Sequence, residues 1–197
     1  MAFDGTSIRE MKPGSFIYAV ERALPGDVCR EAIRRFEERA DQQYAGRIGV
    51  AAESAPDVKR STDLRISGRE DWLDIDQALA RQLAGVVRAF GAEFPFFAAN
   101  AFKDLGYNLQ RTLPGEFYHW HVDSGPGEFR DRQLVAIWYL NDVPGPGGET
   151  EFPLQDVKVR PEEGRLVLFP PFWPHVHRGV TLASGVKYIA TTWVCFA

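Results

Sequence analysis

The chain's four histidines fall into two tight pairs, His119-Trp120-His121-Val122-Asp123 and His175-Val176-His177. On a β-strand, residues two apart project from the same face. His121 and Asp123 can therefore present an imidazole and a carboxylate to one metal ion, and the same rule puts His119 on that face. A histidine from the second pair would complete a set of two imidazoles and one carboxylate. Such a set leaves coordination positions open, as a non-haem Fe(II) oxygenase requires. An isolated HxD arises often by chance and carries little weight alone. Lys187 adds to it: it lies ten positions after His177, across the turn signal Ser184-Gly185. A hairpin there returns Lys187 to the pocket beside His177, where an ammonium could hold the distal carboxylate of an acidic cosubstrate. Arg178 is less suited, because neighbours on a strand point to opposite faces.

Short strands are expected to position these residues. From residue 107 onward the sequence breaks into β-rich runs at 107–113, 117–122, 133–141, 149–152, 157–160, 165–169, 175–180 and 187–196. Turn signals such as Pro114-Gly115 and Pro144-Gly145-Pro146-Gly147-Gly148 separate them. About eight strands at this spacing suggest a jelly-roll barrel. The first half reads differently. An entry strand is expected over 13–22. A helix follows Leu24-Pro25-Gly26-Asp27 and ends near Asp41, with Val28, Ala32, Ile33 and Phe36 on its apolar face. A second helix is expected over 75–90, carrying the stripe Ile75, Leu79, Leu83, Val86, Val87 and Phe90. The irregular stretch 42–70 reads as a loop at the active-site mouth or as a connector with a short strand near 63–66.

Length and charge narrow the functional classes. The 197 residues suit one compact domain, with helical support over about 1–105 and the jelly-roll core over about 106–197. The fold class is thus mainly β (α+β). A formal net charge of −4 gives no general attraction to nucleic acid or anionic membranes. The first twelve residues lack the apolar run of a secretory signal, and no run is long enough to span a membrane. Cys29 and Cys195 have no metal-binding spacing and read as buried thiols in a cytoplasmic protein. Oligomeric state leaves no trace in the sequence.

At this point the sequence resembles a known family, the prolyl 4-hydroxylase-like branch of the Fe(II)/2-oxoglutarate dioxygenases. Gly115, Tyr118, His121 and Asp123 match its run G-x-x-Y-x-x-H-x-D. Tyr139-Leu140-Asn141 and Gly147-Gly148-Glu149-Thr150, with Phe152-Pro153, match its next two strands. Gly164, Leu168-Phe169 and Trp173 match the segment before the distal histidine. His177, Gly185, Lys187 and Trp193 match that histidine and the closing strand. The resemblance implies a double-stranded β-helix with supporting helices. It also implies iron on His121, Asp123 and His177, and Lys187 on the 2-oxoglutarate C5 carboxylate. Tyr118, Thr150 and Trp193 would line the cosubstrate or substrate pocket. The cofactors would be Fe(II), 2-oxoglutarate and O2, with ascorbate as an accessory reductant. The reaction would hydroxylate an unactivated C–H bond, releasing succinate and CO2. Asp123 favours hydroxylation over halogenation, because halogenases of this kind carry a small residue there.

Two positions depart from the pattern. Thr112 stands where the family often has a cosubstrate-binding tyrosine, which leaves Tyr107, water or another group to substitute. His175 adds an imidazole two residues before the distal ligand. A substrate role is open to His119, His175, Arg111 and Arg132, with a purely structural role as the alternative for each. The family favours a prolyl residue in a peptide or protein as substrate. A free amino acid or other small molecule is the alternative within the enzyme class. A cupin-like metal-binding jelly roll without turnover is the alternative outside it, and it would have no need of Lys187 facing the metal.

Overall fold

The computed structural model describes residues 8–49 and 53–197. Helix α1 spans Gly26–Glu38, α2 Leu73–Glu93 and α3 Pro95–Ala98. The strands are β1 (Arg9–Glu10), β2 (Tyr18–Val20), β3 (Tyr44–Ala45), β4 (Thr62–Arg65), β5 (Phe102–Asp104), β6 (Asn108–Thr112) and β7 (Tyr118–His121). They continue with β8 (Arg132–Tyr139), β9 (Thr150–Phe152), β10 (Val157–Val159), β11 (Leu166–Phe169), β12 (His177–Gly179) and β13 (Lys187–Phe196). The large sheet runs β1-β2-β11-β8-β13-β6-β4-β3, with β5 also pairing β13. The small sheet runs β10-β9-β12-β7. The two sheets form the jelly-roll core, and all eight strands expected after residue 107 are present within a few residues of their expected bounds.

Period-two alternation in the central strands builds two apolar layers. On β8, Leu134, Ala136 and Trp138 face the helices, while Val135, Ile137 and Tyr139 face the small sheet. The helix-side layer buries Cys29, Ala32 and Phe36 of α1 and Ile75, Leu79, Leu83, Val86 and Phe90 of α2 against β4, β6 and β11. These residues recur at helical spacing, so each helix offers one continuous apolar stripe. Asp27 in the first turn of α1 and Asp74 and Asp76 in that of α2 complement the helix dipoles. The inner layer is smaller. It joins Ile17, Val167 and Phe169 to Phe152, Val157 and Val159, and it borders the site.

The segment before residue 106 does more than supply helices. Its strands β2 and β4 extend the large sheet on either side of the central strands, because Tyr18–Val20 pairs β11 and Thr62–Arg65 pairs β6. The 42–70 stretch contains β3 and β4, and Lys59 bridges Tyr118 across the open side of the barrel. Residues 50–52 of that stretch, and 1–7 of the N-terminal segment, lie outside the described residues. No described helix is long and apolar enough to cross a membrane. Cys29 and Cys195 are buried free thiols. Burial and the nearby Glu163 carboxylate push the Cys29 thiol up to about 12.

The β8–β9 connection depends on glycine. Gly147 and Gly148 both sit at positive φ (87° and 81°). A Cβ on Gly147 would collide with the Thr181 carbonyl. Gly147→Ala is expected to cost about 2 kcal/mol or more, from strain and the backbone clash together. Chemical denaturation checks this, with a midpoint that falls at unchanged slope.

Candidate metal centre and cosubstrate pocket

The metal-ligand candidates come from two paired strands and the turn that follows one of them. His121 on β7 lies directly opposite His177 on β12, and their ring centroids are 4.1 Å apart. Asp123 sits just past β7, where its own amide and that of Ser124 both donate to the Pro171 carbonyl. This double anchor turns the Asp123 carboxylate inward. The ligating atoms of His121, Asp123 and His177 lie within 4.8 Å of one another.

Hydrogen bonds fix which ring nitrogen faces the centre. His121 Nδ1 donates to the His119 carbonyl at 2.7 Å, and His177 Nδ1 donates to the His175 carbonyl at 3.0 Å. Each ring therefore directs the Nε2 lone pair inward, an outer-shell arrangement typical of metal-binding histidines. His177 Nε2 then meets Asp123 Oδ2 at 3.2 Å. With the ring proton spent on the backbone, this contact sets two acceptors face to face, and Oδ2 is buried without a donor. Such an arrangement is costly unless a cation lies between the atoms. The residues present thus fit a divalent metal, and the mixed imidazole–carboxylate set fits Fe(II).

Electrostatics prepare the same state. Burial, reinforced by neighbouring His177, pulls His121 down to about 3, so its imidazole is neutral and free to ligate. Burial opposes the charge on Asp123 while the Trp193 N–H favours it, and the carboxyl lies below the usual carboxylate range. Trp193 Nε1 donates to Asp123 Oδ1 at 3.1 Å. Trp193→Phe removes that donor and is expected to weaken Fe(II) binding about ten- to hundredfold, the usual effect of losing such an outer-shell partner. Competition against a chelator measures it, and an unchanged melting temperature of the apoprotein would show that the loss is local.

A cavity of about 580 Å³ opens from the triad. Lys187 reaches it from β13, buried, with Nζ donating to the Gly148 carbonyl at 3.0 Å. Burial lowers this ammonium to about 8, and Glu149 offsets the fall only in part. Thr112 is its cross-strand partner on β6 and lines the same cavity. Tyr107 does not stand in for the missing tyrosine. It is packed in the helix-side core against Trp138, and its hydroxyl donates to Asp104. Tyr118 lies on the cavity wall, stacked on His121 with centroids 3.6 Å apart. Thr150 shares a 2.6 Å hydroxyl–hydroxyl bond with Tyr139 at the cavity's edge.

Four sequence expectations need correction. His119 does not share the face of His121. The β7–β12 register places three residue steps from Tyr118 to His121 opposite two from Gly179 to His177. This β-bulge turns Tyr118 and His121 to the same side and leaves His119 and Trp120 exposed. His175 is not a substrate contact, because its Nε2 bonds the Ser15 carbonyl at 2.9 Å in a buried position. With His119 turned away and His175 so occupied, His121 and His177 are the two histidines left to ligate a metal. Arg111 faces the helix side and forms a double contact with Glu37 of α1 at 2.8 and 2.9 Å. Arg132 lines the cavity but is buried beneath Asp123, so the structure favours the structural role over a substrate role. Its Nη1 donates to the Asp123 carbonyl at 2.8 Å, and its guanidinium is sandwiched between Phe129 and Trp193.

The sequence reading missed Lys59. This buried lysine lines the cavity 5.3 Å from the Tyr118 ring centroid, and its charge is matched by Asp63 at 2.7 Å. A charged pair at i, i+4 in a loop looks like a solvated pair, so no local signal marked it.

The comparisons agree with this geometry. Residues 107–195 match the family model described as the 2OG-Fe(II) oxygenase superfamily. A PKHD-type hydroxylase of Synechococcus sp. (strain CC9902) is 27% identical over 62% of this chain and 56% of its own length. The human transmembrane prolyl 4-hydroxylase is 26% identical over 46% of this chain and 30% of its own. The chain thus spans little more than half of the first of these curated relatives and under a third of the second. Among solved structures, a Trichoplax adhaerens prolyl hydroxylase, in complex with a hypoxia inducible factor peptide fragment, aligns with TM-score 0.77. Identity is 17%, over 93% of this chain and 84% of that one. A Pseudomonas putida prolyl-4-hydroxylase aligns at TM-score 0.68 and 21% identity, over 93% and 94%. Residues 107–195 thus resemble the 2OG-Fe(II) oxygenase superfamily, and the chain is prolyl 4-hydroxylase-like in sequence and fold.

Proposed function

We propose that the protein is an Fe(II)- and 2-oxoglutarate-dependent hydroxylase acting on a prolyl residue of a peptide or protein. The observation that carries this reading is the pairing of two features in one cavity: an acceptor-only triad that calls for a cation, and a buried lysine that calls for an anion. His121, Asp123 and His177 would hold the iron. Lys187 would bind the C5 carboxylate of 2-oxoglutarate, with the Thr112 hydroxyl beside it. Tyr118 would supply the hydroxyl that Thr112 is too short to extend.

Held there with 2-oxoglutarate, Fe(II) would activate O2, the oxidant, for C–H hydroxylation, one oxygen atom going to the substrate and the other to succinate as CO2 is lost. Ascorbate would keep the iron ferrous between turnovers. The chain's own part is positional. Trp193 and Arg132 keep the Asp123 carboxylate and backbone in place. Phe152 and Phe169 pack on the His177 ring and shield the inner side from water. Val58, Phe117 and Val122 offer apolar wall to a substrate ring. The relatives named as prolyl hydroxylases support the prolyl assignment.

The test is incubation with Fe(II), 2-oxoglutarate and air over a panel of proline-containing peptides and free amino acids. Peptides gaining one oxygen atom by mass spectrometry, matched mole for mole by succinate, are expected. Oxidation confined to free amino acids would overturn the prolyl-peptide assignment.

A further inference from the structure

The cavity wall away from the triad carries positive charge that the chemistry above does not use. Arg47, Arg60 and Arg65 all line it, and neutral groups anchor each of them. Arg47 lies over the Tyr44 ring at 4.9 Å. Arg60 lies over Phe117 at 5.5 Å, and its Nε donates to the Pro56 carbonyl at 2.9 Å. Arg65 Nη2 donates to the Leu105 carbonyl at 3.1 Å. Among the described residues no ion pair joins any of the three to a carboxylate. Lys59, beside them, is matched by Asp63. The carboxylates on the cavity wall are Asp123, a metal-ligand candidate, and Glu128. Glu53 and Asp57, on the same segment as Arg47 and Arg60, are exposed and pair with none of the arginines. The chain as a whole has a net charge of −4, so a cationic wall is not its average surface.

Position separates Arg65, at the far end of this wall, from the cosubstrate site. On β6, Asn108 pairs with Arg65 and Thr112 with Lys187. Four residues of strand set the two levels roughly 13 Å apart, too far for one small diacid to use both. Between them Asn108 and Gln110 line the cavity and offer amide groups suited to a peptide main chain. Guanidinium groups match carboxylates in geometry as well as charge.

We propose that Arg47, Arg60 and Arg65 bind a substrate carboxylate, carried by an acidic residue a few positions from the hydroxylated one. The oxygenase reading of the cavity underlies this proposal. The enzyme would thus select acidic segments over neutral or basic ones, by electrostatic attraction that salt weakens.

Fluorescence anisotropy tests it, with labelled proline-containing peptides flanked by aspartate and glutamate, by their amides, or by lysine. The full chain is loaded with Fe(II) and 2-oxoglutarate without air. The acidic peptide is expected to bind about tenfold or more tighter than the amide peptide at low salt. That advantage should shrink at high salt and vanish in Arg47→Glu/Arg60→Glu/Arg65→Glu, with a lysine-flanked peptide gaining in its place. The triple glutamine variant, melting at the wild-type temperature, guards against misfolding of the reversal and should lose the preference too. Displacement by N-acetylaspartate at millimolar concentration would support the same site with a small acid as its ligand. Equal or weaker binding of the acidic peptide, or no measurable binding of any peptide, overturns the proposal. Because binding is read without turnover, this result is independent of whether prolyl oxidation is found.

Discussion

Asp123→Asn is expected to abolish hydroxylation and Fe(II) binding while leaving the apoprotein at least as stable as the wild type. The reason is the face-to-face contact of Asp123 Oδ2 with the His177 Nε2 lone pair. An asparagine amide can donate to that nitrogen and still accept the Trp193 N–H. The variant therefore satisfies in the apo state the atoms that the wild type leaves for a cation. In the wild type, Fe(II) at a hundredfold excess over its dissociation constant should add about 2.7 kcal/mol of stability. That metal-induced rise in melting temperature should be missing from Asp123→Asn. Thermal melts with and without metal separate the two effects. A clearly less stable apo variant would mean that the carboxylate serves the fold rather than a metal.

The second large effect concerns Lys187. Lys187→Met keeps most of the side-chain volume and removes the charge. The charge-assisted contact it replaces contributes about 1.5–3 kcal/mol, so the Kd for 2-oxoglutarate should rise roughly ten- to hundredfold, with Fe(II) affinity little changed. The wild-type protein should show a matching pH dependence. In the free protein Lys187 is held down to about 8 by burial, and a bound carboxylate raises it again. Protonation therefore accompanies binding wherever the pH exceeds about 8. Below that value Lys187 is already charged and its contribution is fully present. Above it, 2-oxoglutarate affinity should fall by up to about tenfold per pH unit until the bound-state value is reached. Calorimetric titration across this range, with Lys187→Met beside it, checks both statements. A pH profile identical in the variant would assign the dependence to another group.

Much of this site was legible because its parts obey local rules. Strand periodicity located β7, β12 and β13 to within a few residues. The spacing from His177 to Lys187 pointed to the lysine of the cavity, but not through the expected hairpin: β12 and β13 lie in different sheets, and Lys187 reaches the cavity from the sheet facing His177. What the sequence concealed was long-range or irregular. The β-bulge in β7 has no residue signature in Tyr118-His119-Trp120-His121, yet it decides that Tyr118 and not His119 shares the face of His121. Arg132 reads as a surface residue next to Asp131, and only the packing of Phe129 and Trp193 shows that it is buried. Arg111 sits on the strand that carries Thr112 but on the opposite face, where Glu37 of α1 meets it. Lys59 and Arg60 lie in a stretch without periodicity. Their place on the cavity wall depends on pairing between residues 58–60 and the 117–119 segment, almost sixty residues away.

The central claim is that one cavity holds both Fe(II) and 2-oxoglutarate. The most direct test is the visible spectrum of the anaerobic protein with Fe(II), recorded as 2-oxoglutarate is added, with His121→Ala beside it. Chelation of the keto acid to the iron should give a weak charge-transfer band in the wild type and none in His121→Ala. Iron that binds without the band, or a band that survives in His121→Ala, would contradict the assignment of the site.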